Sequence, residues 1–149
     1  MPSEFEHLEF TSHPFTSIGV ALDLSGMDSK VLSQAKTLAQ QNGARLVLMH
    51  IVEGVGGQLF GKNAYDDEAR DDRKHLENHA DQLRITGLEV QAVLGFGRIP
   101  MEIVRIANEQ KIDLLVMGGH GHRGVKDIIF GTSISKVRHE LRIPVLVVQ

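Results

Sequence analysis

Five short apolar runs alternating with helix-patterned stretches constrain the fold of this chain more than any other feature. "SIGVAL" (Ser17 to Leu22), "RLVLMHIV" (Arg45 to Val52), "LEVQAVL" (Leu88 to Leu94), "DLLVM" (Asp113 to Met117) and "PVLVV" (Pro144 to Val148) are short and largely continuous in apolar residues. Runs of that kind read as strands buried on both faces. Between them lie helical patterns. In "MDSKVLSQAKTLAQQNG", Val31, Leu32, Ala35, Leu38 and Ala39 share one face, and Gly43 suits the position just past a helix end. "DDEARDDRKHLENHADQL" carries a stripe of Ala69, Leu76, Ala80 and Leu83 and is closed by Gly87. "PMEIVRIANEQ" has Pro100 in its first turn and Ile103, Val104 and Ala107 inward. "TSISKVRHEL" turns Ile134, Val137 and Leu141 inward. Strands separated by helical crossovers make a parallel sheet with both faces covered, and crossovers are right-handed. The expected fold is therefore a single doubly wound α/β sheet of five strands. No internal repeat or linker interrupts it.

Composition narrows the function classes. A length of 149 residues suits one domain with a real core. A net charge of -3 argues against a nucleic-acid binder. The absence of cysteine excludes a disulfide scaffold, a thiol nucleophile and a thiolate metal site, and it fits the cytoplasm. No apolar run approaches the length of a membrane span, so no membrane insertion is expected. Residues 1–16 read as an N-terminal tail and 17–149 as the folded domain. The tail is acidic and broken by proline, unlike a signal peptide. It holds Phe5, Phe10 and Phe15 of the six phenylalanines, and reads as a flexible segment or as one that packs on a partner.

Ligands of such sheets bind at the C-terminal strand ends, where the strand order reverses. Two strand ends carry suitable chemistry: Asp23 just past the first strand, and "MGGHGHRGVKDIIFGTS" (Met117 to Ser133) after the fourth. If both serve one ligand, the first and fourth strands are neighbours and the order is 3-2-1-4-5. The glycines let backbone N–H groups approach a ligand. The last helix is expected to begin at "GTSIS", with Thr132 or Ser133 as N-cap and its free N–H groups facing an anion. Arg123 and Lys126 add positive charge nearby.

Two familiar patterns in this loop do not hold. Gly119, Gly121 and Gly124 spell G-x-G-x-x-G, but that fingerprint belongs to a first β-α turn. Gly119 and Gly124 have P-loop spacing, but Val125 stands where its lysine is needed. A third spacing fits: Gly118, Gly121 and Gly131-Thr132 give G-x2-G-x9-G-[ST]. This resembles the ATP-binding signature of the universal stress protein family, and the likeness runs from Ser17 to Gln149. "GVALDLSG" and "LVLMHIVE" are similar to that family's first two strands, and "GFGRIPMEIVRIA" to its third helix entry.

The resemblance implies a module that binds ATP or a related adenine nucleotide (ADP or AMP), with magnesium arriving on the phosphates and no metal held by protein alone. Asp23 would sit near the ribose, and Ile51 would meet adenine through its backbone. Gly118, Gly121, Gly131, Thr132 and Ser133 would hold ribose and phosphates, with His122 of the cradle as a further candidate at the phosphates. It also implies a homodimer through the last strand (Val145, Leu146, Val147, Val148), acting in stress response or partner regulation. Catalysis would need a base and a metal site beyond Asp23, so binding is favoured over turnover. The alternatives are a slow ATPase or a nucleotidyl or phosphoryl transferase, and a regulatory domain working with a membrane transporter.

The remaining signals have plainer readings. "LSGMDSK" is one residue short of an ATP-pyrophosphatase loop and reads as a turn and helix cap. His75 and His79 are spaced four apart, but without a third ligand they read as a solvated helix face. "YDDEARDD" reads as a solvated helix start, and His50 as a satisfied core residue. Gly54 to Gly61 form either a flap near the site or an ordinary loop.

Overall fold

The computed structural model describes residues 7–53, 62–119 and 126–149, the side chains of 62–65 and 126–132 excepted. The elements run β1 (Ser17–Ala21), α1 (Asp28–Asn42), β2 (Arg45–Val52), α2 (Lys62–Arg84), β3 (Val90–Phe96), α3 (Ile99–Glu109), β4 (Leu114–Gly118), α4 (Lys126–Glu140) and β5 (Val145–Val148). The five strands form one parallel sheet in the order β3-β2-β1-β4-β5, as expected.

The near-continuous apolar strands are explained by burial on both faces. Ile18, Val20, Leu46, Leu48 and Val116 pack against Val31, Ala35 and Ala39 of α1 and against Leu76, Ala80 and Leu83 of α2. Their alternating neighbours Val47, Met49, Ile51, Leu115 and Met117 pack against Ile103, Ile106 and Ala107 of α3 and Val137 and Leu141 of α4. Side chains alternate faces along a strand, so each residue type must be apolar for both layers to fill. The chain winds from β1 to β3 in one direction and from β4 to β5 in the other. The reversal falls between β1 and β4.

Three elements have ends that differ from the sequence expectation by two residues or more. β3 runs from Val90 to Phe96, two residues later than expected at each end. α2 begins at Lys62, so the acidic run lies a turn inside it, and no acidic residue stands in the first turn. α4 begins at Lys126, six residues before the expected N-cap. A single glycine inside a helix costs only about 1 kcal/mol, so Gly131 does not stop the helix that Lys126 to Phe130 can form. Thr132 and Ser133 therefore lie within α4 and do not cap it, and Ser133 is buried. At α1 the turn is present, since the Ser25 carbonyl accepts from the Asp28 N–H and Ser25 Oγ from the Met27 N–H. The helix itself has no side-chain cap at Met27.

Asp113, just before β4, fastens the start of β1. Its carboxylate accepts from the backbone N–H groups of Thr16 and Ser17 and from the Thr16 hydroxyl. Burial pushes this carboxyl up, and the three hydrogen bonds outweigh that and hold it below its ordinary range. Phe15 is half-buried and its N–H donates to Asn42 Oδ1, whereas Phe10 is exposed; Phe5 lies outside the described residues. Among the described residues no helix is long and apolar enough to cross a membrane.

Candidate functional site

A cavity of about 340 Å³ opens at the C-terminal strand ends, where β1 and β4 diverge. Its volume is within the range of small-molecule sites. The floor is apolar: Ala21 and Leu22 from the end of β1, Met49 and Ile51 from β2, Met117 from β4, and Ile99 and Ile103 from α3. The rim is polar, with Asp23, His50, Glu53, Glu68, Asp72 and His75. Among the described lining residues there are four acids, two histidines and no lysine or arginine. This wall suits an apolar or hydrogen-bonding group, and leaves an anionic group to be met from another side.

Local geometry explains how the rim is held. β1 ends at Ala21, and Leu22 still donates its N–H to the Met49 carbonyl. Asp23 Oδ1 then accepts the Ser25 N–H at 3.0 Å, an Asx-type turn. Between them Leu24 adopts a left-handed φ of 59°, a conformation costly for a residue with a branched side chain. Such strain persists where surroundings over-determine it. Here Leu24 packs against the apolar layer under α1 while Asp23 is turned toward the cavity.

His50 is paired, as expected of a core histidine, and it also lines the cavity. Its Nδ1 lies 2.8 Å from the Leu22 carbonyl, which can only accept, so Nδ1 carries a hydrogen. Its Nε2 lies 3.1 Å from Asp72 Oδ2 on α2. Asp72 thus leaves the solvated acidic run and joins the site. His75, one turn further along, stays exposed. His79 does not, contrary to the solvated reading: its side chain is 21% exposed and its Nε2 lies 3.5 Å from Asp28 Oδ2.

Of the expected site residues, the structure brings Asp23 and Ile51 to one cavity, and Gly118 directly follows Met117 on its floor. Gly121 and His122, with His120, Arg123 and the stretch Gly54 to Gly61, lie outside the described residues. Gly131 and Thr132 are placed only as α4 backbone. The two described loop glycines differ. A Cβ on Gly119 would come within 2.8 Å of Gln149 Cγ and 3.0 Å of Val147 Cγ1, so a side chain there crowds β5 and must displace Gln149. A Cβ on Gly118 would meet only Val31 Cγ2, at an ordinary 3.6 Å. Packing among the described residues thus gives no reason for Gly118.

Sequence reading missed Asp72 and His50 as cavity residues, and the contact of Asp28 with His79. One signal was available: Asp72, His75, Leu76 and His79 fall at i, i+3, i+4 and i+7, the same helix face as the apolar stripe.

A family model for the universal stress protein family matches residues 14–149. The universal stress protein YxiE of Bacillus subtilis is 28% identical, covering 91% of this chain and 99% of the relative. A universal stress protein solved in complex with cAMP superposes with a TM-score of 0.67 at 19% identity, covering 92% of this chain and 98% of the other. The universal stress protein of Archaeoglobus fulgidus in complex with dAMP gives 0.67 at 24% identity, covering 92% and 100%. The chain belongs to the universal stress protein family.

Proposed function

We propose, with membership of the universal stress protein family as the premise, that this chain is a regulatory module that binds an adenine nucleotide. The observation that carries the reading is the cavity at the β1/β4 reversal, with an apolar floor and Asp23 on its rim. Adenine lies on the floor against the backbone of Ile51, and Asp23 accepts from a ribose hydroxyl. The phosphates point away from the acidic wall, toward Gly118 and the stretch that holds Gly121, His122, Gly131, Thr132 and Ser133. Magnesium arrives on the phosphates, with no protein ligand of its own. The cAMP and dAMP complexes of the two solved relatives support an adenine nucleotide as the ligand class. The freedom at Gly118 supports close approach of a ligand there.

ATP binding, in this reading, changes a dimer or a partner surface in a cytoplasmic stress response. β5 is the outer strand next to β4, and Val145 to Val148 are only half-buried. Pairing of two copies along that strand covers an apolar edge. The test is calorimetric titration of ATP with phosphate release followed on the same sample. Micromolar binding without multiple turnovers supports a regulator, and Asp23→Ala or Gly121→Val weakens it at least tenfold. Sustained release abolished by Asp23→Ala would replace the regulator with an ATPase. No binding at millimolar ATP would overturn both.

A further inference from the structure

Beneath Asp23 lies a second acid that the nucleotide reading does not use. Asp28 opens α1 and is 3% exposed, and its Oδ2 is buried without a hydrogen-bond partner. His79 Nε2, 3.5 Å away on α2, is also buried and unpartnered. The turn that holds Asp23 also holds Asp28, because Ser25 donates to Asp23 Oδ1 and accepts from the Asp28 N–H. Two carboxyls therefore share one tight turn, one on the cavity rim and one in the interior. A buried ionised carboxylate without a partner is costly, and two facing each other cost more.

The groups around Asp28 come from three elements. Asp23 stands in the same β1–α1 turn, tied to Asp28 through Ser25. His79 faces it from α2, with the His75 ring 4.9 Å from the His79 ring. Lys36 of α1 lines the same groove between the two helices. Among the described residues no group of three or more His, Asp or Glu side chains is arranged to hold a metal ion.

We propose that Asp28 is the positioning residue for Asp23: a buried carboxylic acid that lends its hydrogen to the Asp23 carboxylate, with His79 behind it on α2. The inference rests on the nucleotide reading, since Asp23 is the ribose contact there. While Asp28 keeps its proton, Asp23 is held with an oxygen free for the ligand. When the proton leaves for solvent through the groove, two carboxylates face each other and Asp23 is no longer fixed. Burial first, and then the Asp23 charge and hydrogen bonding, push the Asp28 carboxyl up to about 7. Burial and then the neighbouring His75 push His79 down, so His79 does not supply a compensating charge.

The test uses adenosine, which has no phosphate to titrate, in calorimetry on the full chain at about pH 6 and about pH 8.5. With a midpoint near 7, about 90% of Asp28 is protonated at the lower pH and about 3% at the higher, so affinity falls by up to about 30-fold. Asp28→Asn keeps a donor and cannot ionise, and restores binding at the higher pH; Asp28→Ala is weak at both. Equal wild-type affinity at both pH values overturns the proposal, as does Asp28→Asn behaving like Asp28→Ala. Carbon-13 carboxyl spectra of the free protein follow Asp28 directly. A midpoint near 7 that falls in Asp23→Asn upholds the shared proton, and a midpoint in the ordinary carboxylate range overturns it. No adenosine binding at either pH would sink the nucleotide reading alone, and the carboxyl spectra would still decide the shared proton.

Discussion

Two histidine–aspartate contacts tie α2 to the rest of the molecule, and they are built in opposite ways. At the cavity, His50 of β2 uses both ring nitrogens, one on the Leu22 carbonyl and one on Asp72. Two helical turns along α2, His79 and Asp28 face each other at 3.5 Å with both facing atoms unpartnered. In the first contact, which is partly exposed, each ring nitrogen has a partner within hydrogen-bond distance; in the second, which is buried, the facing atoms have none. A satisfied polar pair anchors an element at little net cost, whereas an unsatisfied one makes stability depend on whether its groups carry charge. One helix thus has a partnered anchor at its cavity end and an unpartnered, proton-sensitive one further along.

Substitutions at the two contacts test this difference. The largest effect is expected at Asp28. Its folded-state carboxyl sits at about 7, above the ordinary 3.8, so its contribution is fully present below about 4 and is lost as pH rises through 7. Asp28→Asn removes that loss and is expected to stabilise the protein by about 2 to 4 kcal/mol at pH 8, with little effect at pH 4. Urea midpoints at the two pH values measure it; equal shifts at both would place Asp28 in an ordinary environment. Next, His50→Phe leaves the Leu22 carbonyl and Asp72 without their ring partner, and should cost about 1 to 3 kcal/mol in urea unfolding. If it costs less than about 0.5 kcal/mol, the partnered contact is no anchor and the comparison fails.

The third effect is at His79, whose titration is pushed down by burial and by His75. Stability is then present above its ordinary value of 6.5 and declines as pH falls below it. His79→Gln should flatten that acid limb by about 1 kcal/mol, read by thermal unfolding between pH 7 and pH 5. The smallest effect is expected for Asp72→Asn, which keeps an acceptor for His50 and should cost no more than about 0.5 kcal/mol.

The sheet order was legible on the condition that the chemistry at two strand ends serves one ligand, which makes β1 and β4 neighbours, and the register of Ile18 with Leu114 places them so. The position of Asp23 and Ile51 on one cavity followed from that order. The start of α4 was not legible, because Gly131 reads locally as a break, and one interior glycine is too weak to be one. The Asp28–His79 contact left no local trace either. It joins residues from two helices, and each sits in a segment with a plausible solvated reading. The face shared by Asp72, His75, Leu76 and His79 was visible as spacing, but spacing does not tell which polar member turns inward. Gly118 and Gly119 are neighbours with the same letter, and only the packed structure separates the one where a side chain would crowd β5 from the one where it would not.

The pairing of β1 with β4 has a consequence for the order of assembly. Asp113 binds the backbone of Thr16 from 97 residues away, and β1 gains its second neighbour only when β4 arrives. Closing so long a span is slow relative to local contacts. During synthesis the first strand therefore waits with one edge open until most of the chain has emerged, and the cavity is among the last features to exist. A ligand seated across that junction holds together segments that are made far apart in time, and its presence reports that the fold has been completed.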